Sequence, residues 1–90
     1  MQTKKITVHG HVQGVGFRWC TQNVAKDLGI KGTVKNNPDG TVTAVAQGDP
    51  LVLAEFISKV KASPSPSGQV DKIEVEEIQE RPFRSFQIIY

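Results

Sequence analysis

Three observations predict an α+β sandwich for this chain, with two helices covering one face of a mainly antiparallel sheet. Ile6, Val8 and Val12 share parity and alternate with polar residues, the pattern of a half-buried strand. Helical spacing of apolar residues then appears twice, over 17–28 and again after Pro50. Between the helices, Asn37-Pro38-Asp39-Gly40 is a tight-turn sequence flanked by further strand-like runs, so the chain folds back there as a hairpin.

Taken in order, the first strand is expected over 4–12, with Thr7, His9 and His11 on the face opposite Ile6, Val8 and Val12. A glycine-rich loop follows. The first helix runs from Phe17 to Leu28, where Phe17, Cys20, Val24, Ala25 and Leu28 fall at helical spacing and Gly29 suits the C-terminal cap. A second strand over 30–36 enters the turn, and a third from Thr41 to Gln47 leaves it with Val42, Ala44 and Ala46 alternating. Asp49 can cap the second helix and Pro50 suits its first position. Leu53, Phe56, Ile57 and Val60 form its buried stripe, while Glu55 and Lys59 pair one turn apart on the outside. Ser63-Pro64-Ser65-Pro66-Ser67-Gly68 is too short to join domains and reads as a surface loop. Val70 to Ile78 and Phe83 to Tyr90 supply a fourth strand and a short C-terminal one. The order βαββαβ plus one strand is the split βαβ arrangement of the ferredoxin-like fold.

At 90 residues the chain is expected to form one domain spanning 1–90, large enough for a single core. A net charge of +2 without a lysine or arginine run favours a small anionic ligand over a polyanion, so no nucleic-acid partner is expected. No apolar run approaches a membrane span and Met1-Gln2-Thr3-Lys4-Lys5 lacks a signal-peptide core, which points to the cytoplasm and to no membrane partner. The lone Cys20 fits a reducing compartment. As a nucleophile it would need its proximity to Arg18 and the helix start; as a small apolar residue beside the packed face it needs nothing special, and that reading is preferred. His9 and His11 share a strand face, but no carboxylate or cysteine joins them at ligand spacing, so no metal site is expected.

The most informative segment is Gly10-His11-Val12-Gln13-Gly14-Val15-Gly16-Phe17-Arg18, where a strand hands over to a helix. Glycines there allow a tight turn with main-chain N–H groups lining an anion site, and the helix start adds unpaired donors. Arg18 supplies an always-charged planar fork able to grip two phosphate oxygens. Common nucleotide loops do not fit: no Gly-Lys-Ser/Thr follows, and Gly14-Val15-Gly16-Phe17-Arg18-Trp19 ends in Trp rather than Gly. A loop that merely turns a corner is the plainer alternative. Against it, a cation in the first helical turn opposes the macrodipole, and an anion partner gives Arg18 a reason to be there.

In the predicted topology the first and second strands run parallel, which brings Asn36 to the sheet edge that carries the glycine loop. Its parity with Gly32 and Val34 puts the side chain on the helix-covered face. An amide there can orient a water beside a phosphate without repelling it; it can equally serve as a turn-former before Asn37-Pro38-Asp39-Gly40. Local sequence leaves both open.

The run VHGHVQGVGFR from Val8 to Arg18, with Gly32-Thr33-Val34-Lys35-Asn36, Gly40, Val42 and Gly48 at their spacing, closely resembles the signature segments of the acylphosphatase family. The resemblance extends over essentially the whole chain. It implies hydrolysis of the carboxyl–phosphate bond of small acyl phosphates without metal or organic cofactor, with inorganic phosphate as product and competitive inhibitor. It further implies that Arg18 and the loop amides of Gln13, Gly14, Val15, Gly16 and Phe17 bind the phosphoryl group, and that Asn36 positions the attacking water. Apart from the resemblance, a monomer is expected. Thr33 departs from the pattern, which usually has an aromatic residue after Gly32; its opposite parity to Asn36 directs the consequence to the sheet surface. Asn37 is a weaker candidate for orienting Asn36.

Two other classes share the fold. The first is a non-catalytic module that binds phosphate, another small ligand or RNA. An RNA-binding one would display aromatic residues on central strands, and Thr41-Val42-Thr43-Ala44-Val45-Ala46-Gln47 has none. A domain acting on carbamoyl phosphate or on a protein partner would keep the loop, and turnover of a simple acyl phosphate separates it from an acylphosphatase.

Overall fold

The alternating residues Ile6, Val8, Val34, Val42, Ala44 and Ala46 are each at most 1% exposed and form the sheet's side of the core. The structure is a computed structural model describing residues 1–90. Its elements are β1 (Gln2–His11), α1 (Phe17–Leu28), β2 (Lys31–Asn36), β3 (Val42–Gly48), α2 (Pro50–Lys61), β4 (Gln69–Glu77) and β5 (Phe86–Ile88). They build one sheet in the order β4-β1-β3-β2-β5. β1 and β2 are both antiparallel to β3 and therefore parallel to each other, which puts the exits of both strands at one sheet edge.

The helices cover one face. Leu53, Phe56 and Val60 of α2 join Phe17 and Ala25 of α1 in the core cluster, where burial of each large side chain contributes about 1.5–3 kcal/mol. Phe56 packs on Phe86 of β5 with ring centroids 6.0 Å apart and planes at 58°. Both helix ends follow the sequence signals. Asp49 accepts a hydrogen bond from the Leu51 N–H at 3.0 Å with Pro50 in the first turn, and Gly29 closes α1 in a left-handed conformation.

Four expectations are corrected. In α1 the third buried residue beside Phe17 and Ala25 is Thr21, fully covered, whereas Cys20 is half-buried at the edge of the packed face. Glu55 and Lys59 make no ion pair; both are exposed, where ordering two long side chains offsets the small Coulomb gain. β5 is three residues long rather than the eight of Phe83–Tyr90, because the chain from β4 must cross the sheet to reach β2. That crossing is held by buried Gln47, which donates to the Arg81 carbonyl at 3.2 Å and accepts from the Phe83 N–H at 2.9 Å. Finally, Ser65 of the serine–proline segment is 2% exposed rather than a surface residue, since its hydroxyl donates to the Val15 carbonyl.

Candidate active site

The segment between β1 and α1 bends at Gly14 and Gly16, whose φ angles of 76° and 75° lie in the left-handed region. A Cβ at either position would meet nothing within 4 Å, so the requirement for glycine is the backbone angle and not steric room. Gly16 is the N-cap of α1 and offers no side chain to the helix start. The first backbone bond of the helix runs from the Cys20 N–H to the Gly16 carbonyl at 3.0 Å, leaving the amides of Phe17, Arg18 and Trp19 without intrahelical acceptors. No acidic side chain sits in that first turn. Phe17, 2% exposed, plants the start of the helix in the core and fixes the direction in which these amides face.

A cavity of about 270 Å³ opens at this point, lined by Val12, Gly14, Gly16, Phe17, Arg18, Trp19, Asn36, Ile88 and Tyr90. The chain thus brings Arg18 and Asn36 to one concavity from elements separated in sequence. Of the loop residues assigned to the phosphoryl group, Gly14, Gly16 and Phe17 line it; Gln13 and Val15 do not. Arg18 is half-buried and pairs with no carboxylate, because the one ion pair of the chain joins His9 to Glu74. Its guanidinium lies over the Tyr90 ring, 5.1 Å from the centroid. Asn36 contributes a buried Oδ1 with no hydrogen-bond partner in the protein. Its neighbour Asn37 braces the turn instead, donating to the Thr41 and Thr43 hydroxyls at 2.9 and 2.7 Å. The two asparagines therefore divide the readings that local sequence left open, and the Asn37 side chain points away from Asn36.

Two side chains tie the loop down. The Gln13 amide donates to the carbonyls of Asn37 and Thr41 at 2.8 and 2.9 Å, joining the loop to the turn that follows Asn36. Ser65 holds the Val15 carbonyl from the other side. Sequence reasoning read Gln13 for its main chain and missed both ties, which depend on contacts between distant segments. Gln13→Leu removes two hydrogen bonds to carbonyls that keep backbone partners, so a net loss near 1 kcal/mol is expected. A thermal melt should show Tm lowered by about 4–8 °C. An unchanged Tm would mean that the tie carries no stability.

Ile88 and Tyr90 reach the cavity through the parallel register of β5 on β2, which aligns Val34 with Ile88, and through a bond from the Ile89 N–H to the Val34 carbonyl at 2.9 Å. The Gln22 amide, donating to the Phe86 carbonyl at 3.0 Å, fastens β5 to α1. No histidine, cysteine or acidic side chain lines the cavity, so its chemistry is that of donors, one cation and one amide.

Charged groups elsewhere are engaged differently. Thr41 donates its hydroxyl and its N–H to Asp39, which holds that carboxyl below the usual carboxylate range. His9 bonds Glu74 at 2.5 Å and, with Lys72, lowers the Glu74 carboxyl likewise. No three His, Cys, Asp or Glu side chains cluster to hold a metal, and no helix is long and apolar enough to cross a membrane. A wider groove of about 690 Å³ lies on the open sheet face among Lys5, Thr7, Thr33, Lys35 and Thr43. Thr33 is half-buried in its wall, away from Arg18 and Asn36.

Comparison with known proteins shows the family and the fold. The acylphosphatase family profile matches residues 4–88. An acylphosphatase of Lactobacillus gasseri is 54% identical over 91 residues, covering 100% of both chains. The crystal structure of acylphosphatase from Bacillus subtilis is similar with a TM-score of 0.95 and 38% identity over 100% of each chain. Full-length HypF, in a phosphate- and nucleotide-bound crystal structure, is similar with a TM-score of 0.91 and 31% identity over 99% of this chain and 12% of that one. Sequence and fold agree from end to end, and the chain belongs to the acylphosphatase family.

Proposed function

We propose that the protein hydrolyses small acyl phosphates to a carboxylate and inorganic phosphate, with the roles of Arg18, the loop amides and Asn36 as follows. Arg18 and the main-chain donors of Gly14, Gly16 and Phe17 hold the phosphoryl oxygens and offset the charge that spreads over them during transfer. The side-chain amide of Asn36, half-buried on the same cavity, hydrogen-bonds a water and presents its oxygen to phosphorus. As the new P–O bond forms, the bond to the acyl oxygen breaks and a carboxylate leaves. That leaving group is stable as an anion, so no general acid is required to expel it. The water's proton passes to a phosphate oxygen, in keeping with a cavity that holds no carboxylate or histidine side chain to take it.

The observation that carries this reading is the convergence, on one cavity, of an arginine free of any carboxylate and of Asn36, an amide side chain that makes no hydrogen bond within the protein. A buried polar atom left without a partner costs about 1–3 kcal/mol, so the uncompensated Oδ1 marks Asn36 as a residue that fold stability alone does not account for. The alternative of an RNA-binding module is disfavoured by the open sheet face, whose groove is lined by lysines, threonines and acidic groups with no aromatic ring. We further propose that the protein acts as one domain, as a monomer, in the cytoplasm.

Phosphate release from acetyl phosphate and benzoyl phosphate, with and without EDTA, tests the proposal. Turnover of both, unaffected by chelator, is expected, with little release from ordinary phosphate monoesters. Inorganic phosphate should inhibit competitively and raise Tm, since it binds only the folded state. Loss of turnover in EDTA with recovery on adding a divalent ion would refute the metal-free mechanism.

A further inference from the structure

Trp19 is 63% exposed and Tyr90 is 99% exposed, although both line a cavity whose other apolar side chains are covered or half-covered. Large aromatic rings left in water beside a concave site are unspent contact area. The lining can be divided by chemistry. The proposed function assigns Gly14, Gly16 and Arg18 to the phosphoryl group and Asn36 to the nucleophile, while Val12 and Phe17, at 1% and 2% exposure, are taken up by the core. What remains is a rim of Trp19, Ile88 and Tyr90. The Tyr90 ring carries the Arg18 guanidinium on one face, whereas the indole of Trp19 has no cation or aromatic partner in the protein.

Resting on the acyl-phosphate reading above, we propose that this rim seats the acyl group and makes Trp19 a specificity-determining residue favouring aromatic or bulky apolar acyl phosphates. The occupant follows from connectivity: a substrate whose phosphoryl group lies in the glycine loop projects its acyl group out of the same cavity. It also follows from the chemistry of the rim. Besides an indole N–H and a phenol it presents only apolar surface, with no charged side chain beyond Arg18 to recognise a polar acyl chain. Acetyl is too small to span such a surface; a benzoyl ring can stack on it.

The test compares kcat/KM for benzoyl phosphate and acetyl phosphate in the wild-type protein, Trp19→Ala and Trp19→Phe. In Trp19→Ala the benzoyl value should fall roughly three- to tenfold, the range of one aromatic contact. Acetyl phosphate turnover and the inhibition constant of inorganic phosphate should stay within about twofold. Trp19→Phe should recover most of the benzoyl preference. Because Trp19 is exposed, neither substitution opens the core, and melts should confirm the fold. An equal fall with both substrates, or no fall with benzoyl phosphate, would overturn the seat while leaving the hydrolytic reading intact. Turnover of neither substrate by the wild-type protein would overturn the hydrolytic reading itself.

Discussion

Arg18→Ala should abolish most turnover while leaving the fold intact, with kcat/KM lowered by about three orders of magnitude, the upper scale for one preorganised donor group. The expectation of an intact fold is specific to this position. Arg18 pairs with no carboxylate, so its loss strands no buried charge. Its contact with Tyr90 contributes about 0.5–1 kcal/mol, and its charge in the first turn of α1 opposes the helix dipole by about 0.3–1 kcal/mol. The two effects nearly cancel, so Tm without ligand should move by only a few degrees. What should disappear is the rise of Tm on adding inorganic phosphate. Arg18→Lys should restore less than a tenth of the lost activity, since a point charge cannot replace the two parallel donors of the fork. Near-normal activity in that variant would show that charge alone suffices.

The parts of this site differed in how far sequence could reach them. The loop and Arg18 are contiguous, and their glycines, helix start and cation sit within one short run. Asn36 required topology: only the parallel run of β1 and β2 brings it to the loop, and that followed from element order. Parity then gave its face, because Val34, two residues before it, is fully buried. Ile88 and Tyr90 escaped notice since their place depends on the pairing of β5 with β2, and no local pattern in a three-residue strand reveals its partner. Gln13, Ser65 and Gln47 escaped for a related reason. Each is a polar side chain whose acceptors lie 28 or more residues away or in irregular loops, and hydropathy records such residues only as surface. Periodicity reports which face a residue shares; it is silent on which distant carbonyl a buried amide will satisfy. Cys20 shows the limit from the other side, since helical spacing admits it to the buried stripe while packing selects Thr21.

Substitution of Asn36 should separate chemistry from binding. If its amide holds the attacking water, Asn36→Ala lowers kcat by about two to three orders of magnitude, on the scale of one preorganised polar group, while the inhibition constant of inorganic phosphate stays within a few-fold. Loss of kcat at unchanged ground-state affinity marks an interaction made in the transition state. Stability is the second readout, and its sign is informative. The buried oxygen of Asn36 has no partner in the protein, and the turn after β2 is braced by Asn37, Asp39 and Gln13. Replacing Asn36 by Ala therefore removes an unsatisfied acceptor and breaks no hydrogen bond that holds the turn, so Tm should be unchanged or raised. Asn36→Asp should behave differently: a carboxylate facing the phosphoryl group repels it, and kcat and phosphate affinity should fall together. Should Asn36→Ala itself lose phosphate binding in proportion to activity with its fold intact, Asn36 would be a phosphate ligand and some other group would have to position the water.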